Sequence, residues 1–136
     1  MIHDASEGLL SAQVHEAGFE VVYHNDLSPC NFVFRQQIPV AIIDFDAASF
    51  GRRVYDLGYA AWLWLQIGDE EISPREQVRR LALFANAYGE LECSAIVEAM
   101  LVRQTIIIQQ GRRAANNAMA EWAQAARIWT LRELAV

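Results

Sequence analysis

The sequence contains no lysine, and all eleven of its basic residues are arginine. Seventeen acidic residues outnumber them and leave a net charge of −6. That balance excludes a chain built to neutralise a nucleic-acid backbone, which needs an excess of Lys and Arg. Cysteine is scarce too: Cys30 and Cys93 lie 63 positions apart. They form no Cys-x-x-Cys or Cys/His spacing, which argues against a zinc site and a disulfide framework. The longest apolar stretch, Leu57 to Leu65, has nine residues, short of the roughly 20 that span a bilayer. The N-terminus lacks the basic segment and apolar run of a signal peptide. No Gly-x-Gly occurs anywhere. A soluble, cytoplasmic protein with neither nucleic-acid nor membrane partners is expected.

Hydrophobic residues make up 54% of the 136 positions, enough to fill a core and leave apolar surface over. The length suits a single domain, residues 1–136. Asp4 and Glu7 form a D-x-x-E capping box ahead of Leu10, Val14 and Ala17, so Asp4 to Ala17 reads as one helix stopped by Gly18. Phe19 to Tyr23, Phe32 to Phe34 and Val40 to Phe45 read as short strands, with Gln36 to Pro39 as the turn of a hairpin. The period changes to 3.6 from Tyr55 on. Leu57, Ala60, Ala61, Trp64 and Leu65 mark one face of a largely buried helix. Ser73-Pro74-Arg75-Glu76 supplies an N-cap, a proline at N1 and a glutamate at N3 for the next. Two more follow, Ser94 to Gln110 and Ala114 to Leu134, divided by Gly111-Arg112-Arg113. The last shows a stripe of Ala115, Ala118, Trp122, Ala126 and Trp129. The expected class is therefore α+β and mostly helical, a small β-element packed on about five helices.

Polar residues gather at the ends of the short strands. His24-Asn25-Asp26-Leu27-Ser28-Pro29-Cys30-Asn31 has the H-x-D-x₄-N spacing of a kinase catalytic loop. In such a loop the Asp accepts the proton of the attacking hydroxyl and the Asn reaches a metal on the nucleotide phosphates. Phosphoryl transfer needs this pairing because its catalysis is mostly positioning and charge neutralisation. Eighteen positions past Asp26, Ile42-Ile43-Asp44-Phe45-Asp46 reads as a buried strand ending in a carboxylate, a platform for an oxygen-seeking cation such as Mg²⁺. The bland alternative is that Asp26, Asn31 and Asp44 are turn residues satisfied by backbone. Another takes Asp44-x-Asp46 alone as a metal–nucleotide motif, which leaves the upstream loop unexplained. The arginine pairs 52–53, 79–80 and 112–113 read as solvated surface, and Trp62, Trp64, Trp122 and Trp129 as core or interface anchors.

Three segments in order, His24 to Asn31, Ile43-Asp44-Phe45-Asp46 and Gly51-Arg52-Arg53-Val54-Tyr55-Asp56-Leu57-Gly58, together resemble the aminoglycoside phosphotransferase and choline kinase-like family. The resemblance implies a protein kinase-like C-terminal lobe, with the catalytic loop and metal strand in 19–46 and a helical part in 54–136. It also implies transfer of the γ-phosphate of ATP, or GTP, to a small-molecule hydroxyl with Mg²⁺. Asp26 would be the catalytic base, Asn31 and Asp44 the metal ligands, Asp56 a buried brace for the loop, and His24 and Asp46 supporting residues.

Two departures stand out. Asn25 replaces the Gly of the family's usual H-G-D, and Asp46 stands where Glu or Gly is common. Only 23 residues precede His24, and they contain neither Lys nor Arg. A nucleotide-binding N-terminal lobe with its lysine is therefore not expected in this chain, and little kinase activity is expected of it alone. The second reading is a non-catalytic kinase-like remnant that binds or self-assembles. An inter-lobe face left open would favour a homo-oligomer. The acidic net charge leans towards a cationic acceptor.

Overall fold

Long helices carry the core, and a small β-element of two antiparallel strand pairs packs against them, with Phe32 meeting Trp64 at the end of one helix. The computed structural model describes residues 2–10, 12–89 and 91–135. In chain order these form α1 (Ile2–Glu7), α2 (Ala12–Glu16), β1 (Val21–Tyr23), β2 (Phe32–Arg35), β3 (Ile38–Ile42), β4 (Ser49–Gly51), α3 (Arg53–Trp64), α4 (Pro74–Tyr88), α5 (Cys93–Arg113) and α6 (Asn117–Glu133). Both sheets are two-stranded and antiparallel, β1 with β4 and β2 with β3. The fold is thus mostly helical with a small β-element, as the periodicity implies.

The core lies where α3, α5 and α6 meet. Trp62, Ile96, Met100 and Ala123 are fully buried there, and Trp62 stacks on Trp122 with centroids 4.4 Å apart. Buried Gln77 organises the α3–α4 connection. Its amide nitrogen donates to the carbonyls of Gln66 and Asp69, and its oxygen accepts from the Trp129 indole. These bonds satisfy loop carbonyls that would otherwise be buried without partners.

Several expectations need correction. Residues 4–17 do not form one helix: α1 ends at Glu7 and α2 starts at Ala12. Gly8 is a poor helix-interior residue, and Ser6 Oγ is already engaged with the Val22 amide of β1 at 3.0 Å. Asp4 and Glu7 lie within α1, and both accept from Arg53 rather than forming a capping box. Arg53 is accordingly an inter-element tie, not solvated surface. The hairpin turn is shorter than expected, only Gln36 and Gln37, both at positive φ (49° and 65°). Two left-handed residues make the turn whose twist matches antiparallel strands. A fourth strand, β4, pairs with β1 beyond the three that the sequence pattern implies. Strand β3 is mostly exposed and ends at Ile42, so Asp44 is not the end of a buried strand. A two-stranded sheet has too few neighbours to bury both faces.

Among the described residues there are six α-helices rather than about five. Gly111 does not separate α5 from α6. It lies inside α5, where an added Cβ would come within 3.0 Å of Ala120 Cβ, and the turn falls at 114–116. The buried stripe of α6 is consequently Ala120, Ala123, Ala126 and Thr130, while Trp122 is 47% exposed. Small residues face α5 because the two helices approach closely.

The cap of α4 forms as its sequence dictates, with Ser73 Oγ accepting from Glu76 N. Arg79 and Arg80 both donate to the Glu76 carboxylate and hold its pKa down from the usual 4.5 to about 2. A depressed folded-state pKa stabilises above the unfolded value and loses that contribution as the pH falls through the folded one. Glu76→Gln is therefore expected to be less stable than the parent above about pH 5, with the gap closing between pH 4.5 and 2. Urea midpoints at stepped pH check this. A gap that widens on acidification would contradict it.

Candidate active site

The loop from His24 to Asn31 leaves β1 and hangs from one buried carboxylate. Asp56 sits in the first turn of α3, 1% exposed, yet its side chain does not cap that helix. Its Oδ2 accepts from the His24 amide at 2.7 Å, and its Oδ1 accepts from the Asn25 amide at 2.8 Å. Asp56, the residue expected to brace the loop, thus holds two of its backbone amides. His3 of α1 adds a third bond, Nε2 donating to Asp56 Oδ2 at 2.9 Å, while Nδ1 accepts from the Tyr88 hydroxyl at 2.8 Å. The α1 helix is thus part of the site's support. Burial pushes the Tyr88 phenol above its usual value, and Arg53 opposes the shift.

His24 is fully buried and links the loop to the segment that carries Asp44. Its Nε2 donates to the Ile43 carbonyl at 2.9 Å, and its Nδ1 accepts from the Asp26 amide at 3.2 Å. The ring meets Phe45 edge-on, centroids 4.5 Å apart. Every polar atom of this imidazole serves structure, so His24 has no free nitrogen for chemistry.

Asn31 grips the residue proposed to act as base. Its Nδ2 donates to the Asp26 backbone oxygen and to Asp26 Oδ2, both at 2.9 Å. The other carboxylate oxygen of Asp26 has no hydrogen bond among the described residues, and the side chain is half-buried. With its nitrogen committed, Asn31 presents its amide oxygen elsewhere, where its neighbour is Cys30 Sγ at 3.8 Å. The Asn31 carbonyl accepts from Ile43 N at 3.0 Å. Ile43 is thereby held on its N–H by Asn31 and on its C=O by His24, which brings the following residue, Asp44, against the loop. Asp44 is exposed and adopts a left-handed φ of 63°, a conformation that costs a non-glycine residue energy and tends to occur at functional turns. Asp46 is exposed and has no hydrogen bond among the described residues. The structure unites Asp26, Asn31, His24 and Asp56, abuts Asp44 on them, and leaves Asp46 aside.

Two residues of this assembly escape a motif reading. His3 lies 53 residues from Asp56, and the sequence marks it only as a lone histidine. Arg103 of α5 donates from Nη1 to Asn25 Oδ1 at 2.6 Å and from Nη2 to the Asn25 carbonyl at 2.8 Å. Asn25 sits at φ 67°, the conformation that glycine adopts freely and asparagine tolerates best among the rest. Tyr59, beneath Arg103, has its phenol pushed up by burial and further by the Asp26 carboxylate.

The donor set suits a hard cation. Asn31 offers an amide oxygen, met only by the weak Cys30 Sγ donor, and Asp44 offers a carboxylate, and oxygen ligands of this kind hold Mg²⁺ together with substrate phosphates. On the far side of the hairpin an open apolar cleft of about 940 Å³ runs past Leu27, Phe32, Ile42, Trp64 and Tyr88. No described helix is long and apolar enough to cross a membrane.

A trifolitoxin immunity protein from Rhizobium leguminosarum bv. trifolii is 38% identical over 58 residues, which is 43% of this chain and 22% of that protein. The matched stretch thus spans about a fifth of the relative's length. No solved structure matches the chain. Residues 3–92, more than half of the sequence, match the model of the phosphotransferase enzyme family. That span runs from the helix carrying His3 through the loop, the Asp44 turn and the Asp56 brace, and by it this chain belongs to the phosphotransferase enzyme family.

Proposed function

We propose that the chain carries the catalytic loop of a small-molecule kinase, in a protein kinase-like C-terminal lobe, and moves the γ-phosphate of ATP to a hydroxyl of its acceptor. The observation that supports it is the Asn31–Asp26 pair: one carboxylate oxygen is held by an amide and the other is left without a partner. In this reading Asp26 takes the proton of the acceptor hydroxyl on that unpartnered oxygen. The Asn31 bond keeps the carboxylate from rotating, and Asp56 keeps the loop from drifting. Asn31 and Asp44 would hold Mg²⁺, which with ATP supplies the transferable phosphoryl group and neutralises the charge developing on it. A relative named for immunity to a toxin fits an enzyme whose acceptor is a harmful small molecule, inactivated by the added phosphate. A cationic acceptor accords with the net charge of −6.

The test is calorimetric titration of the chain with ATP, with and without Mg²⁺. Binding is expected only with the metal, and Asp44→Ala is expected to weaken it at least about tenfold. Binding indifferent to both, or none at all, would overturn the reading.

The β2–β3 hairpin favours self-association as a second role. Val33, Phe34, Ile38 and Val40 on the hairpin, and Ile43 and Phe45 just after it, are each at least 40% exposed, and exposed apolar surface of this kind marks interaction sites. A homodimer is expected by light scattering, reverting to monomer in Ile38→Glu. A monomeric parent chain would end this role.

A further inference from the structure

Arg103 and Asn25 are 78 residues apart in the chain, yet both terminal nitrogens of the arginine go to that one asparagine. Nη1 takes its side-chain oxygen at 2.6 Å and Nη2 its backbone oxygen at 2.8 Å. The guanidinium lies over the Tyr59 ring, 4.4 Å from the centroid, and its Nε is buried with no hydrogen-bond partner. A buried donor left unmade destabilises the fold. The fork is therefore oriented towards Asn25 at the expense of its own third hydrogen bond.

A glycine at position 25 would adopt the left-handed conformation more readily and would offer Arg103 only the backbone oxygen. Asparagine accepts the conformational penalty and supplies the second acceptor. The substitution in the loop and the arginine on α5 thus make sense together. The Asn25 carbonyl that Nη2 holds belongs to the peptide whose N–H is that of Asp26, so the guanidinium grips that peptide unit directly. The next contacts along the loop are the Asp26 amide on His24 and the Asp26 carboxylate on Asn31. Tyr59, stacked under the guanidinium, lies within the field of the same carboxylate.

From this juxtaposition we infer that Arg103 is a positioning residue for Asp26: its two-pronged grip on Asn25 fixes the peptide entering Asp26 and so the direction of the carboxylate. The inference rests on the phosphotransferase reading for its catalytic meaning. It also ties α5 to the loop.

The reporter is the side-chain amide of Asn31, which donates to Asp26 and is visible by NMR in the ¹⁵N-labelled chain without ligand. Arg103→Met keeps the stem and loses the fork. It is expected to shift the Asn31 side-chain resonances and to speed exchange of the Asp26 backbone amide about tenfold. Asn25→Gly is expected to move the same reporters in the same direction by less, and the double variant by no more than Arg103→Met alone. Arg103→Lys, a single point charge that cannot span both oxygens, should restore them only in part. A folded Arg103→Met chain with both reporters unmoved overturns the inference, and so do additive effects in the double variant. Should Arg103→Met not fold, Asn25→Gly decides the matter on the same reporters, since it leaves Arg103 in place. Titrating these samples with Mg²⁺ and ATP separates the two readings. Reporters that move in Arg103→Met, with a parent chain that binds no nucleotide, sink the kinase reading and leave the clamp standing. Where nucleotide binds, Arg103→Met should keep its affinity within about twofold while phosphoryl transfer slows, a split that loss of packing alone would not give.

Discussion

Asp56→Ala is expected to remove about 3–5 kcal/mol of stability, the range for stripping one partner from a buried, charged hydrogen-bond network. Three donors converge on this carboxylate: the amides of His24 and Asn25 and the His3 imidazole. Alanine leaves all three without this acceptor, two of them in buried bonds, and each unsatisfied buried donor costs about 1–3 kcal/mol. A domain's total stability is only about 5–15 kcal/mol, so the variant would be marginal. Asp56→Asn should lose less, because it keeps one oxygen to accept from an amide, although its NH₂ then faces another donor without bonding it. Urea unfolding of both variants checks the ranking. In whatever fraction stays folded, the His24 and Asn25 amides should exchange faster than amides of α5. A loss under about 1 kcal/mol in Asp56→Ala would mean that water or a rearranged His3 replaces the carboxylate.

The same network shows how far a sequence discloses a site. Asp26, Asn31, Asp44 and Asp56 stood out together because a catalytic-loop spacing links residue type to local position, and the structure joins Asp26 to Asn31 and hangs the loop on Asp56. The cap of α4 and the hairpin were legible for a similar reason, since a serine N-cap and paired short strands are set by neighbours. His3 and Arg103 were not. Each contributes a contact that exists only after distant elements meet, and neither lies in a spacing that chemistry dictates. The break between α1 and α2 was hidden because Asp4 and Glu7 resemble a capping box directly ahead of the Leu10, Val14 and Ala17 stripe, while Ser6 and Arg53 bind α1 to β1 and α3 instead. Strand β4 was missed because three residues, Ser49–Gly51, carry no alternation to read, and what orders them is pairing with β1. The phase of α6 went wrong for a physical reason as well. Its large residues suggested a buried Trp stripe, but Gly111 lets α5 come so close to Ala120 that only small side chains fit between the helices.

Close approach decides the sign of the second large effect. Gly58 lies inside α3, where replacing glycine with alanine ordinarily gains about 0.5–1 kcal/mol from helix propensity. Here a Cβ would sit 2.6 Å from the Met100 nitrogen, 2.7 Å from the Ala99 carbonyl carbon and 2.8 Å from Ala99 Cβ. Two of those are backbone atoms of α5 and cannot swing aside as a side chain would. The helices must separate, which loosens the packing of Trp62, Ile96 and Met100, and overpacking of this sort typically costs about 1–3 kcal/mol. The steric cost outweighs the propensity gain, and Gly58→Ala is expected to be destabilised by about 2 kcal/mol. Gly8→Ala, with nothing within 4 Å of the new methyl, is the matched control and should change stability little. The consequence also reaches the site, because Gly58 follows Asp56 by two residues on the same helix. A displaced α3 carries Asp56 away from the loop, so the His24 and Asn25 amides should exchange faster in Gly58→Ala and not in Gly8→Ala. Thermal unfolding together with exchange at those two amides makes the measurement. A Gly58→Ala chain at least as stable as the parent would show that the α3–α5 contact has room to spare and that the loop is held by Asp56 independently of how tightly its helix is packed.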